Sequence, residues 1–302
     1  MNTYPYTPSQ LGKASIADLL AFIKSPTLLA RRLGEILNAQ QFLGNYLLSG
    51  RYTMNGGAIM VPVNEVIRTD RKAETVAPGG EYKMTPLSQE AYELYTSAKR
   101  GIATEVTDEE VGRNLRSPID NALQLLQTEL VFDANEIAMG VVQSSITQAL
   151  AASGTWTNGK QVFKDSLKAK QKVRALKLGF DINVAVLPGE QYAEILPELL
   201  DILPANDETA KTGSFPTISG ITWVPDDSGD LSDPLFLDRN RLGGIARENI
   251  PSPEYRPVGA DTGVEIASFR EKSDKTRIQA RNPHVPVVVN PLAGIFVTGT
   301  GA

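Results

Sequence analysis

The chain has no cysteine and a single histidine, His284, among its 302 residues. Without cysteine there is no disulfide framework, no thiolate metal site and no cysteine nucleophile. With one imidazole, most metal and acid–base arrangements fall away, because they draw on two or more. Long apolar runs are also missing: none approaches the roughly 20 residues that span a bilayer, so no membrane partner is expected. The opening Met1-Asn2-Thr3-Tyr4-Pro5 carries neither a basic nor an apolar targeting region. Nor is there an excess of positive charge. At a net charge of −5 the chain as a whole is not built to neutralise nucleic acid. What remains is an ordinary soluble composition, long enough for one large domain or two smaller ones and poor in catalytic equipment.

The first 50 residues read as an arm with helical pieces. Ser15 is placed to cap Ile16–Lys24, and Ser25-Pro26 opens a second helix whose Leu29, Leu33 and Ile36/Leu37 share one face. That face fits its own core or a neighbouring molecule equally well. Ala58–Val63 is strand-like. Between Arg68 and Glu90 lies a long polar ribbon whose Pro78-Gly79-Gly80 tip supplies the positive-φ positions of a tight reversal. Pro86 argues against a central strand on the return limb. Tyr92, Leu94 and Thr96 then alternate with polar residues, as in a half-buried strand. Thr107-Asp108-Glu109-Glu110 has the form of a capped helical turn.

The strongest single element runs from Ser117 to about Leu150. Pro118 takes the favoured first helical position, and Asp120 sits where the first-turn dipole prefers an acid. Ile119, Leu123, Leu126, Leu130, Ala134, Ile137 and Val141 recur in steps of three and four and keep one stripe. Gly154–Gly159 reads as a flexible linker. Beyond it, a basic amphipathic helix at Lys164–Leu178, a buried strand at Ile182–Leu187, a helix at Glu190–Leu200 and strands at Ile218–Val224 and Leu235–Leu237 predict an α/β unit over about 165–260. The rest is β-rich: Val264–Arg270, Thr276–Arg281, Val285–Val289 and Gly294–Val297.

Several motifs are set aside on chemical grounds. Gly154 to Gln161 fits the phosphate-loop spacing up to its last position, where Gln161 lacks the hydroxyl that would hold magnesium. The acidic run Asp226-Asp227-Ser228-Gly229-Asp230, with Asp233, lacks the alternating ligands and terminal bidentate glutamate of a calcium loop and reads as a solvated turn. His284 has no catalytic partner nearby in sequence and reads as structural. No cofactor is expected.

A ribbon as polar as Arg68–Glu90 has almost no face to bury within its own domain, which points to packing on another molecule. The order of arm, charged loop with a Pro-Gly-Gly tip, Ser-Pro-started long helix, α/β lobe and closing β segment resembles the major capsid protein of tailed bacteriophages. That is the Hong Kong 97-type coat fold, which encapsulin shells share. The resemblance covers nearly the whole chain. It is most specific at Ala73–Leu87, Glu105–Ile146 and Thr276–Thr300. It implies an α+β fold with an N-terminal arm (1–50), an E-loop hairpin with flanking strands (51–100), a P domain with the spine helix (101–164), an α/β A domain (165–261) and a C-terminal β segment returning through the P domain (262–302). It also implies self-assembly into pentamers and hexamers of an icosahedral shell around double-stranded DNA, in a virion assembled in the host cytoplasm. A separate scaffold, a portal and a decoration protein are the further partners it implies. Some relatives cross-link an E-loop lysine to a neighbour's asparagine, promoted by a buried glutamate. Here Lys83 matches the lysine, but Asp274 and Arg281 fall where the asparagine and glutamate would be, so no autocatalytic cross-link is expected.

Charge complementarity adds a residue-level expectation. Glu129, Asp133 and Glu136 share one face of the long helix, and Arg68, Arg71 and Lys72 lie in the loop that the resemblance carries onto a neighbour. The basic limb is expected to rest on the neighbour's acidic face, with Arg277 and Arg281 meeting acids where three capsomers join. Two other readings stand beside this one: an encapsulin-like cellular compartment, and a soluble α/β enzyme built on residues 165–260.

Overall fold

The computed structural model describes residues 15–38, 43–54, 56–62, 72–84, 92–114, 117–200, 215–226, 229, 231–259 and 262–301. Among the described residues three helices come first: α1 (Ile16–Ile23), α2 (Pro26–Asn38) and α3 (Leu43–Leu47). Ser15 caps α1 in a reciprocal box, its hydroxyl accepting from the Asp18 N–H while the Asp18 carboxylate accepts from the Ser15 N–H. Strands β1 (Gly50–Met54), β2 (Ala58–Pro62), β3 (Tyr92–Thr96) and β4 (Lys99–Thr107) lead into a short α4 (Asp108–Asn114) and the 29-residue α5 (Ser117–Ser145). The α4 start is the expected capped turn: Thr107 Oγ1 accepts from the Glu110 N–H, and Glu110 accepts from the Thr107 N–H.

At 1.5 Å per residue α5 is about 43 Å long. It ends at Ser145 rather than near Leu150. Ser144 and Ser145 both donate back to the Val141 carbonyl (3.1 and 2.7 Å), and the chain leaves into β5 (Ala149–Ala151). There follow α6 (Gly159–Ala175), β6 (Val184–Pro188), α7 (Gly189–Leu200), β7 (Thr217–Ile218), β8 (Ile221–Asp226), β9 (Leu235–Leu237), β10 (Gly243–Glu248), β11 (Arg256–Val258), β12 (Val264–Arg270), β13 (Lys275–Val288) and, after a 3₁₀ turn, β14 (Gly294–Thr298).

Twelve of these strands form two six-stranded sheets, and β2 and β3 pair with each other. In the first, in the order β1-β10-β13-β12-β11, the long β13 pairs β10 through residues 284–288 and β4 through residues 275–283. Gly50, Gly243 and Gly244 let β1, β10 and β13 meet backbone to backbone. A Cβ on Gly244 would run into Gly50, and one on Gly243 into the Val287 carbonyl. The second sheet, β5-β14-β9-β6-β8-β7, carries α6 and α7.

Each sheet has its own core, and α5 belongs to both. Its first half places Ile119, Leu123, Leu126 and Leu130 with Leu19, Phe22, Leu29 and Leu33 of α1 and α2 and with Ile266 and Ile278 of the first sheet. Its second half places Ala138, Met139 and Val142 with α3 and with Val186, Trp223, Phe236 and Ile295 of the α/β sheet. Each such large side chain, fully buried, stabilises the fold by about 1.5–3 kcal/mol, so α5 fastens the two lobes together. The helices of the arm therefore spend their apolar faces on their own chain.

Three expectations need correction. Gly154–Gly159 is no flexible linker: Trp156 is buried, its N–H reaches the Thr300 carbonyl (2.8 Å), and Asn158 caps α6 by accepting from the Lys160 N–H (2.9 Å). A boundary at 164/165 would cut α6. Sheet membership also divides the later chain differently, since β10 and β11 join the first sheet while β14 returns to the α/β sheet between β5 and β9. Asp226, read as part of a solvated turn, is buried and accepts from the Leu231 N–H (3.0 Å). Asp227, Ser228 and Asp230 lie outside the described residues.

Candidate assembly interface

The ribbon β2–β3 is an antiparallel pair with Met60 opposite Leu94 and Pro62 opposite Tyr92. Because side chains alternate across a strand, the pair has two distinct faces. Ile59, Val61 and Tyr95 turn inward onto Met54, Ala246 and Val287. Tyr95 donates to Glu93 (2.9 Å), and burial together with that carboxylate pushes its phenol up to about 12. The other face presents Met60, Tyr92 and Leu94 to solvent at 64%, 65% and 59% exposure. The alternation expected at Tyr92, Leu94 and Thr96 is thus present, but these residues form the outer face, and among the described residues nothing covers it.

Residues 72–84 form a solvent-facing loop. Gly79 takes a φ of +82° at its turn, the Gly80 N–H returns to the Ala77 carbonyl (2.8 Å), and Lys83 bridges to Glu74 (2.6 Å). Tyr82 and Met84 are almost wholly exposed. Lys72 is exposed as well, while Arg68 and Arg71 lie outside the described residues.

On α5 the outward row is Leu125, Glu129, Phe132 and Glu136, with Leu125 and Phe132 about half exposed. Asp133, beside that row, accepts from Arg100 of β4 (2.8 Å) across a groove also lined by Lys99, Ile102, Glu129 and Leu130. Among the described residues β4 pairs only with β13, so its second edge lies open along this groove. Arg277 is half exposed with Glu271 3.9 Å away. Arg281 is different. Its guanidinium is buried, donates to Glu265 (2.6 Å) and to the Ile250 carbonyl (3.0 Å), and stacks 3.8 Å from the Tyr255 ring centre. That satisfies it within its own chain and leaves little of it for a neighbour.

The sequence reading found the acidic residues of α5 but passed over Leu125, Phe132, Met60 and Arg100. A signal was available for the first two: both stand off the buried stripe of an otherwise amphipathic helix. Asp274, at the β12–β13 turn, is exposed and lies 3.2 Å from Arg270. Among the described residues no group of three or more His, Asp or Glu is placed to hold a metal ion, and no helix is long and apolar enough to cross a membrane.

A long helix shared by a β lobe and an α/β lobe, with a solvent-facing ribbon and loop, defines the Hong Kong 97-type coat fold, and solved structures match it. The virus-like particle from Pyrococcus furiosus is 14% identical with a TM-score of 0.56, covering 89% of this chain and 97% of that one. The capsid of cyanophage P-SCSP1u is 10% identical with a TM-score of 0.55, covering 82% and 85%. A structure from Microbacterium phage Oxtober96 is 12% identical with a TM-score of 0.54, covering 86% and 92%. No curated protein sequence matches. The family model described as phage capsid protein matches residues 90–297, and the chain belongs to that family. Its role is accordingly structural, as a capsid protein that assembles with copies of itself.

Proposed function

We propose that the chain is the major coat subunit of a tailed phage, assembling as pentamers and hexamers into an icosahedral shell that encloses double-stranded DNA. One observation carries this reading. The outer ribbon face of Met60, Tyr92 and Leu94 is apolar and exposed, and no described residue covers it. Contiguous apolar surface of this kind mark contact sites, and in a capsid family the available partner is the next copy. Leu125 and Phe132 on α5 offer an apolar counterpart flanked by Glu129 and Glu136, to which Lys72 and the basic limb of the loop add complementary charge.

On this reading the α/β lobes gather at the capsomer centre, and α5 with the first sheet tiles the shell floor. The ribbon and the charged loop tie neighbours together without covalent bonds. A scaffold, a portal and a decoration protein are the expected further partners, and assembly in the host cytoplasm the expected setting. Net acidity suits a wall that surrounds DNA without gripping it. A second reading is an encapsulin-like cellular compartment, and the likeness in fold to the Pyrococcus furiosus virus-like particle is compatible with both.

The test is to purify the chain expressed alone and follow it by light scattering and negative-stain microscopy. Closed shells, tubes or five- and six-membered rings are expected, and the contents of closed shells separate the two readings. A monomer that persists at every concentration, with candidate scaffold present, overturns both.

A further inference from the structure

We propose that α6 and α7 carry the two halves of one contact, a lysine row on one copy meeting a glutamate row on the next around a ring. The inference rests on the assembly reading above and names a surface for it. Helix α6 holds five lysines, one arginine and one aspartate; α7 holds three glutamates and no cation. Lys160, Lys164, Lys168 and Lys172 recur every fourth residue, as do Glu190, Glu194 and Glu198, and all seven are exposed. Residues four apart lie about 5–6 Å from one another on a helix surface, so the two rows share a pitch.

Like charges at that spacing weaken a helix. Each row therefore needs a counter-charge, and little of it comes from the same chain. Lys160, Lys164, Glu190 and Glu194 have no ion-pair partner among the described residues. Lys168 meets the buried Asp165, Lys172 donates to the Ala149 carbonyl (2.6 Å), and Glu198 accepts from the Gly159 N–H (3.3 Å). That last bond sets the helices side by side, yet no Lys–Glu pair joins the rows. Helix α6 packs toward β14 and β9, and α7 toward β6 and β8. One lobe thus presents a positive and a negative helix at successive places in the same layer.

A patch whose complement lies elsewhere on the same molecule makes a head-to-tail contact, which closes into a ring when its rotation allows. An apolar centre is available too. Leu167 is exposed between Lys164 and Lys168, and Ala193 and Pro197 are exposed among the glutamates of α7. Packaged DNA would suit the lysine row alone. It would leave the matching glutamate row without a role, so a second copy is the better occupant.

The experiment uses the full chain carrying K160E/K164E, E190K/E194K or all four changes, with thermal unfolding to verify the fold. Each double reversal should raise the concentration needed for assembly on the order of tenfold or more, and the fourfold reversal should restore it. The two reversed chains mixed in equal amounts should associate where neither does alone. Because they must alternate, they should give six-membered but not five-membered rings. If the unmodified chain never assembles, the assembly reading fails, while association of the mixed pair in sedimentation still reports on the rows. Reversed chains that assemble like the parent overturn the inference. So does a folded fourfold variant that stays dispersed. Loss of copurifying DNA with assembly intact would overturn it in favour of a nucleic-acid contact.

Discussion

Arg100 of β4 donates to Asp133 of α5 at 2.8 Å, closing one side of the groove between the open β4 edge and the long helix. Both side chains are partly exposed, so the pair contributes little to the fold, about 0–1 kcal/mol. Its consequence is for the surface. Asp133 is partly neutralised by its own chain, while Glu129 and Glu136 have no ion-pair partner among the described residues and can meet a basic partner. Reversal of Arg71 and Lys72 to glutamate should therefore weaken assembly and reduce its salt sensitivity, with monomer stability unchanged. Turbidity against salt checks this, and an unaltered curve counts against the contact.

The ribbon gives the most separable outcome. In M60S/L94S both side chains are exposed in the isolated chain, so its unfolding free energy should move by no more than about 0.5 kcal/mol. Assembly should nevertheless be lost. Denaturant melts beside light scattering test the two halves of this statement.

How much of this was legible in the sequence depends on how local the determining physics is. The α5 helix was legible, since Pro118, Asp120 and the stripe from Ile119 to Val141 act within the element itself. Its last turn was not, because Ser144 and Ser145 bend back to a carbonyl. For Tyr92 and Leu94 the sequence showed an apolar face without saying which molecule covers it. Trp156 looked like part of a linker because its partners, Asp165 and Thr300, come from a later helix and the end of the chain. β14 was misplaced for the same reason, its pairing with β5 and β9 being set by long-range burial.

Arg281 and Glu265 offer a stability test inside the first lobe. Arg281→Met leaves Glu265 without its partner in a mostly buried site and should lower stability by about 3–5 kcal/mol. Adding Glu265→Met should recover most of that loss. Thermal unfolding of the single and double variants reads the coupling; an additive pair would show that the contact does not matter.

His284 sets a pH dependence. Burial holds its pKa below the ordinary value. The Asn282 carbonyl (3.2 Å from Nδ1) and Asp133 oppose that shift, and Arg247 and Arg100 reinforce it. The unfolded chain takes up its proton first, near pH 6.5. Stability from this group is therefore complete above that pH and is lost as the pH falls toward the lowered folded value, with a slope of at most about 1.4 kcal/mol per pH unit. Urea midpoints between pH 5 and 8 should fall on the acid side for the parent chain and flatten in His284→Gln.

The most direct test of the account is an electron cryomicroscopy reconstruction of the assembled particles, resolved well enough to follow side chains. The account predicts that Met60, Tyr92 and Leu94 of each copy are buried against a neighbour, with Leu125 and Phe132 likewise covered. A closed lattice in which that ribbon face remains open to solvent would contradict it.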